Sequence, residues 1–360
     1  MKEKLYHTHV TILIFMVQVG VGLFTLPRTL ADTFGYNGWL AVLIVSAAVF
    51  VNIALIGIVY KLGQGKSVFD IMESSFPKFV TYPVYIGLIG VWALLGCMVA
   101  KLYTLIFQTM AYPTTHPMLL KLVMDILIFL LVIQGIYNLS KAATLFFWCV
   151  IFLVMLLFFF TDEFQVSNLT PFIMQDSRSL GVGFLKAYSA FLGYEIALFL
   201  MPYMDKDKKL GRAMVLSNLW ITGCYLAVCI TAFGIYSLEQ LRRINYPLLD
   251  LLGLIQFPFI ERVENMLFGL FLFSIIVTVA GYTWMALDTL ERMVPRMSRK
   301  WLAALMISFM YIVAYIPDTL IKVNYWGELL SVIETAIAFG LPILLITLLL
   351  IQRRRGRTHA

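Results

Sequence analysis

Charge is what this sequence has least of. Only 13% of its 360 residues are Asp, Glu, Lys or Arg, about half the roughly 25% of an ordinary soluble domain, which excludes a water-soluble globular fold. Histidine and cysteine are scarce as well, at four each. Cys97, Cys149, Cys224 and Cys229 all lie inside apolar runs without paired ligand spacing, and His7, His9, His116 and His359 lie near the termini or in a loop. Neither set makes a metal site. There is no Ser-His-Asp set, no HExxH, no phosphate-binding glycine loop and no nucleic-acid motif, and polar residues within the apolar runs are too few to assemble an acid–base pair with a metal. Enzymatic activity, a cofactor and a nucleic-acid partner are therefore not expected.

What the chain has in quantity is hydrophobic residues, 61% of the total. About 20 apolar residues span a bilayer, and on that rule the chain is an all-α polytopic membrane protein. Its spans fall near residues 10–30, 38–60, 81–111, 118–138, 142–160, 184–204, 212–236, 263–290, 301–321 and 327–351, about ten in all. Lys2 and Lys4 before the first run resemble a signal peptide, but no small-residue cleavage site follows and further apolar runs do, so the first segment is read as retained. The formal charge of +7 has its explanation in the loops. With the N-terminus inside, eighteen basic residues fall on the inner side, among them Lys61, Lys66, Lys78, Lys141, Lys206, Lys208, Lys209, Arg292, Arg296, Arg299 and the RRRGR tail, against eight outside. The positive-inside rule then puts both termini in the cytoplasm. Two outer loops, about 161–183 and 237–262, exceed simple connectors. The first carries Asp162, Glu163, Asn168, Pro171 and Asp176. The second has leucines at helical spacing between prolines and reads as a short helix over the outer face.

Within the first span, Val17 to Pro27 reads VQVGVGLFTLP. Glycine favours open backbone and proline withdraws a donor, so a break is expected here. Lipid cannot satisfy the freed N–H and C=O groups, and unwound backbone at membrane depth is tolerated only where protein buries it or it lines a watery cavity. The sixth span contains FLGYEIALFLMP, a glycine-plus-polar interruption followed by Pro202. An inverted five-plus-five repeat would make the first and sixth spans the discontinuous pair around a midplane site. That divides one integral domain, 1–360, into repeats of about 8–160 and about 184–321, or to 351.

The candidate ligand residues follow from this pair. Gly20, Val21 and Gly22 offer N–H groups at the start of a half-helix for a carboxylate, or else only close helix packing. Gly193, Tyr194 and Glu195 hold the corresponding place in the sixth span. Glu195 falls near mid-bilayer, where an ionised acid costs about 2.5–3.5 kcal/mol. It is read as an acceptor for a ligand ammonium, as a proton-holding coupling group, or as a neutral acid tying the broken helix to a neighbour. Lys101, in the long third span, either snorkels to the headgroups, partners Glu195, or holds the place of a bound cation. Ser274 and Thr278 stand four apart on one face of the eighth span, continued by Tyr282; they line a pocket or bond neighbouring helices. Phe24, Tyr103 and Tyr194 are candidate caps. Asp125 and Glu334 read as interfacial or interhelical hydrogen-bonders.

Three stretches, VGVGLFTLPRTLADTFGYNGWL, GQGKSVFDI and NYPLLDLLGLIQFPFIERVENM, resemble the spore germination permease family, the B subunits of GerA-type nutrient germinant receptors, within the amino acid-polyamine-organocation (APC) superfamily. The resemblance covers essentially the whole chain. It implies a LeuT/APC-like inverted repeat in the inner membrane of an endospore, working with a larger A subunit and a lipoprotein C subunit, and a nutrient such as an amino acid as ligand. Three functions remain open on the sequence: a ligand-sensing receptor subunit, a proton- or ion-coupled amino acid transporter, and an architectural membrane subunit.

Overall fold

In the computed structural model, residues 4–160, 164–169, 175–204, 209–255 and 263–358 are described. The sequence-based expectations at Lys2, Asp162, Glu163, Pro171, Lys206, Lys208 and Arg262 lie outside them. Fifteen α-helices run along this part of the chain, with no strand among the described residues. Six helices are long and apolar enough to cross a membrane, or seven if the bent pair at the N-terminus counts as one span. The chain is an all-α, multi-pass membrane protein.

The first apolar run is not one helix. It is α1 (His7–Gln18) and α2 (Gly22–Phe34), bent by 57° across the three residues between them. Pro27 does not cause the break. It sits inside α2, where the proline withdraws only the bond to the carbonyl four residues earlier. The interruption falls at Val19–Val21, where Gly20 N–H turns back to Gln18 O at 2.8 Å. The sixth run is likewise divided, into α8 (Leu180–Ser189) and α9 (Ile196–Leu200). Gly193 lies between them at φ +121°, and a Cβ there would come within 2.8 Å of the Val17 carbonyl. Glycine is needed at this point because one unwound segment lies directly on the end of the other.

The other helices surround these two. They are α3 (Leu40–Gly63), the short α4 (Val68–Glu73), α5 (Lys78–Ala111), α6 (Pro117–Ile133), α7 (Gly135–Met155), α10 (Lys209–Ile235), α11 (Leu238–Arg243), α12 (Pro247–Leu254), α13 (Val263–Met293), α14 (Arg299–Val313) and α15 (Leu320–Thr358). Buried residues make up 72% of the apolar window of α13, against 39% for α15, so α13 is a central helix and α15 peripheral. α13 packs most extensively on α5, while α1 is held among α7, α10 and α13. The helix expected over one end of the bundle is two, α11 and α12, both packed on α2. A capping box at Ser237 and Gln240 starts α11. Arg242 then binds Ala31 O at 3.2 Å and Asp176 Oδ2 at 2.6 Å, fastening the 175–178 loop to the end of α2. At the opposite end, Arg292 pairs with Asp70 at 2.8 Å and Glu73 at 2.9 Å.

Candidate functional site

Two unwound segments in an apolar interior leave backbone polar groups without helical partners, and each must find one. Side chains from α10 and α13 supply them. Ser274 Oγ donates to Val19 O at 2.8 Å, and Thr278 Oγ1 lies 3.1 Å from Met16 O and 3.2 Å from Val19 O. The Tyr225 hydroxyl, from α10, is within reach of Gln18 O at 3.1 Å and Ala190 O at 2.6 Å, one carbonyl from each break. Gln18 Nε2 crosses to Phe191 O at 2.9 Å, while Ser217 Oγ donates to Gln18 Oε1 at 3.1 Å. The two interruptions are thus one hydrogen-bonded unit.

Beside this unit lies a cavity of about 200 Å³. Its floor is the α1–α2 junction, including Gly20, Val21 and Gly22, and its walls are α2, α5, α8, α13 and α15. The N–H groups of Val21 and Gly22, at the start of α2, have no hydrogen-bond partner among the described residues. A helix N-terminus with free donors attracts anions. The threonines of α2 add little polarity, because Thr25 and Thr29 return their hydroxyls to Gly22 O at 3.2 Å and Thr25 O at 3.1 Å. At one side of the cavity Lys186 Nζ meets Glu328 Oε1 at 2.8 Å, with side chains 40% and 57% exposed, which marks its solvent end.

Of the residues singled out from sequence, Gly20, Val21, Gly22 and Thr278 line this cavity, together with Tyr282. Ser274 lies behind Thr278 and serves the Val19 carbonyl. Glu195 is buried one layer further in: its Oε2 accepts from Gly193 N–H at 2.8 Å and its Oε1 from the Tyr282 hydroxyl at 3.0 Å. Tyr282 therefore stands between Glu195 and the cavity. Tyr194 is placed elsewhere again, its hydroxyl 2.7 Å from Asn52 Nδ2 and 2.6 Å from the Tyr188 hydroxyl. Phe24 and Tyr103 belong to an aromatic cluster with Phe268 and do not cap the site.

Lys101 joins none of these groups. It is 3% exposed, so it does not snorkel, and its amine donates to Met118 Sδ at 3.1 Å at the start of α6. Asp125 forms a buried ion pair within α6, 2.6 Å from Lys121. Glu334 is fully buried, not interfacial, and accepts from Trp92 Nε1 at 3.0 Å. Sequence reasoning passed over Gln18, Asn52 and Tyr225. A lone amide in an apolar run, as in FMVQVGVG or FVNIAL, was the signal for the first two. Tyr225 is one of 18 tyrosines and carries no local mark.

A helical bundle with paired interruptions in its first and sixth runs is the architecture of LeuT-type membrane proteins. The fold matches the crystal structure of MhsT in complex with L-phenylalanine at a TM-score of 0.67, over 95% of this chain and 89% of that one, at 14% identity. That likeness shows the fold. By sequence the chain belongs to the spore germination protein family of spore permeases, whose profile matches residues 4–322. It is 24% identical to spore germination protein B2 of Bacillus subtilis (strain 168), over 99% of this chain and 98% of the relative. It is 23% identical to spore germination protein GerQB of Bacillus cereus, over 87% and 86%.

Proposed function

We propose that this chain is the ligand-sensing membrane subunit of a spore nutrient germinant receptor, and that it binds a small nutrient, an amino acid in the first place, in the cavity at the α1–α2 junction. One observation carries the proposal: backbone donors with no partner among the described residues, at the start of α2, form the floor of a cavity between two interrupted helices. A carboxylate on Val21 and Gly22 N–H would gain charge-assisted hydrogen bonds without a buried counter-charge. At about 200 Å³, the space falls below the roughly 300 Å³ at which drug-sized pockets begin, so it suits a compact solute. The MhsT structure holds L-phenylalanine, which supports an amino acid as the class. In this proposal the protein sits in the inner membrane of the endospore with both termini cytoplasmic, and an A-type membrane subunit and a C-type lipoprotein are its partners.

A second function, coupled transport, draws support from a cavity of about 330 Å³ at the other end, lined by Asp70, Tyr203 and Arg292 among others. Alternating access opens one midplane site to each end in turn, and a polar cavity at the far end is the kind of vestibule a second, oppositely open state would use. The two functions separate on reconstitution of this chain alone: a sensor binds amino acid weakly and accumulates none, whereas gradient-driven uptake establishes the transporter.

The site itself is tested by filling it from two sides. A Cβ at Gly22 would come within 3.3 Å of Ala190 Cβ, and Val99 lines the cavity from α5. Gly22→Ala and Val99→Phe should both move the germination dose-response to higher nutrient concentration while the subunit persists in the membrane. A dose-response unchanged in both, at normal subunit level, overturns the assignment.

A further inference from the structure

Carboxyl groups are costly inside a membrane bundle, yet two of them meet here. Glu195, at the start of α9, is 2% exposed, and Glu334, from α15, is 0% exposed. The two are close enough to feel each other's charge, and Asn52 Nδ2 ties the neighbouring Tyr194 hydroxyl to Ala338 O, one turn beyond Glu334 on α15, at 2.7 and 2.8 Å. Three of their four oxygens have donors: Gly193 N–H and the Tyr282 hydroxyl on Glu195, and Trp92 Nε1 on Glu334 Oε1. The fourth, Glu334 Oε2, is buried and has no hydrogen-bond partner among the described residues. The titratable groups around the pair are Tyr282 on α13 and Tyr194 and Tyr188 in the broken sixth run, and among the described residues no basic side chain forms an ion pair with either carboxyl.

We propose that Glu195 and Glu334 together form a proton-binding site, with the proton on Glu334 Oε2 and the Glu195 carboxyl beside it as acceptor. Two ionised carboxylates in contact, away from water and without a cation, repel each other and lose their hydration together. One proton removes one charge and turns the orphaned oxygen into a donor. Each of the other three oxygens already accepts a hydrogen bond, so Glu334 Oε2 is the one to which a proton brings a partner it otherwise lacks. Loaded, the site ties the interrupted sixth run to α15. Emptied, it sets two negative charges against each other at the same contact. Because Tyr282 both lines the cavity and donates to Glu195, the site adjoins the cavity through a single hydroxyl. It stands whether or not the cavity binds a nutrient.

The test is infrared spectroscopy of the purified full-length chain near neutral pH, with no ligand added. A protonated-carboxyl C=O band should shift on exchange into D₂O and again when glutamate is labelled with ¹³C at its side-chain carboxyl. It should vanish in Glu334→Gln, change frequency in Glu195→Gln, where an amide oxygen replaces the acceptor, and stay unchanged in Asp125→Asn. A wild-type band that ignores the glutamate label, or a band that persists unaltered in Glu334→Gln, overturns the proposal. The labelling arm needs no variant, so poor accumulation of Glu334→Gln leaves the test intact.

Discussion

Gly193→Ala is the substitution to which the structure gives the sharpest expectation. The new methyl would lie 2.8 Å from Val17 C and O and 2.9 Å from Gln18 N. All three are backbone atoms, and they belong to the turn held by Ser274, Thr278 and Tyr225, so they cannot yield cheaply. Forcing a methyl into a filled interior costs about 1–3 kcal/mol. The φ of +121°, which side-chain-bearing residues rarely adopt, adds about 1–3 kcal/mol more. The expected loss is therefore about 2–6 kcal/mol. Gly20→Ala is the control, because its methyl would meet only Thr278 Cγ2, at an ordinary 3.8 Å, and it should change stability by less than about 1 kcal/mol. Thermal unfolding in detergent, followed by the monodisperse fraction on gel filtration, compares the two. If Gly193→Ala melts with the wild type, or Gly20→Ala falls as far as Gly193→Ala, the close apposition of the two breaks is wrong.

Two further outcomes are expected. In α6, removing one partner of the buried Lys121–Asp125 pair, 0% and 4% exposed, should cost about 3–5 kcal/mol, whereas Lys121→Met with Asp125→Leu should be neutral or stabilising; the same melting assay decides, and a double variant as unstable as the singles refutes the ion-pair account. For orientation, a reporter fused after Lys209 should read as cytoplasmic and one fused after Asn168 as extracytoplasmic, and exchanged readouts overturn the inner placement of the termini.

Both interruptions were legible in the sequence because a broken membrane helix is written in local residue choice: GVG in one run, LGYE in the other. Their limits were not legible. Proline marked a break that Pro27 does not make, since α2 accommodates it, while α1 stops at Gln18 because hydroxyls from Tyr225, Ser274 and Thr278 take its last carbonyls. Those donors come from residues 207 or more positions away. The same distance hid the partners of the buried acids. Glu195 stood out by its depth, but nothing near Glu334 in the chain says that it faces Glu195, and nothing near Lys101 says that it turns toward Met118. Gly20, Val21 and Gly22 line the cavity because the place of a backbone opening follows from where the helix breaks, whereas the place of a side chain depends on how helices rotate against one another.

The hydroxyl support of the first break has a consequence for the order in which the protein is made. Ser274 and Thr278 lie on α13, and Tyr225 on α10, all far later in the chain than α1 and α2. Until they arrive, an unwound Val19 or Met16 would present bare carbonyls to lipid, at several kcal/mol each. The first segment must therefore enter as a continuous helix and unwind only when the eighth run docks. The bend beside the cavity is thus an assembly product, and the nascent chain lacks that cavity's floor until its last third is in place.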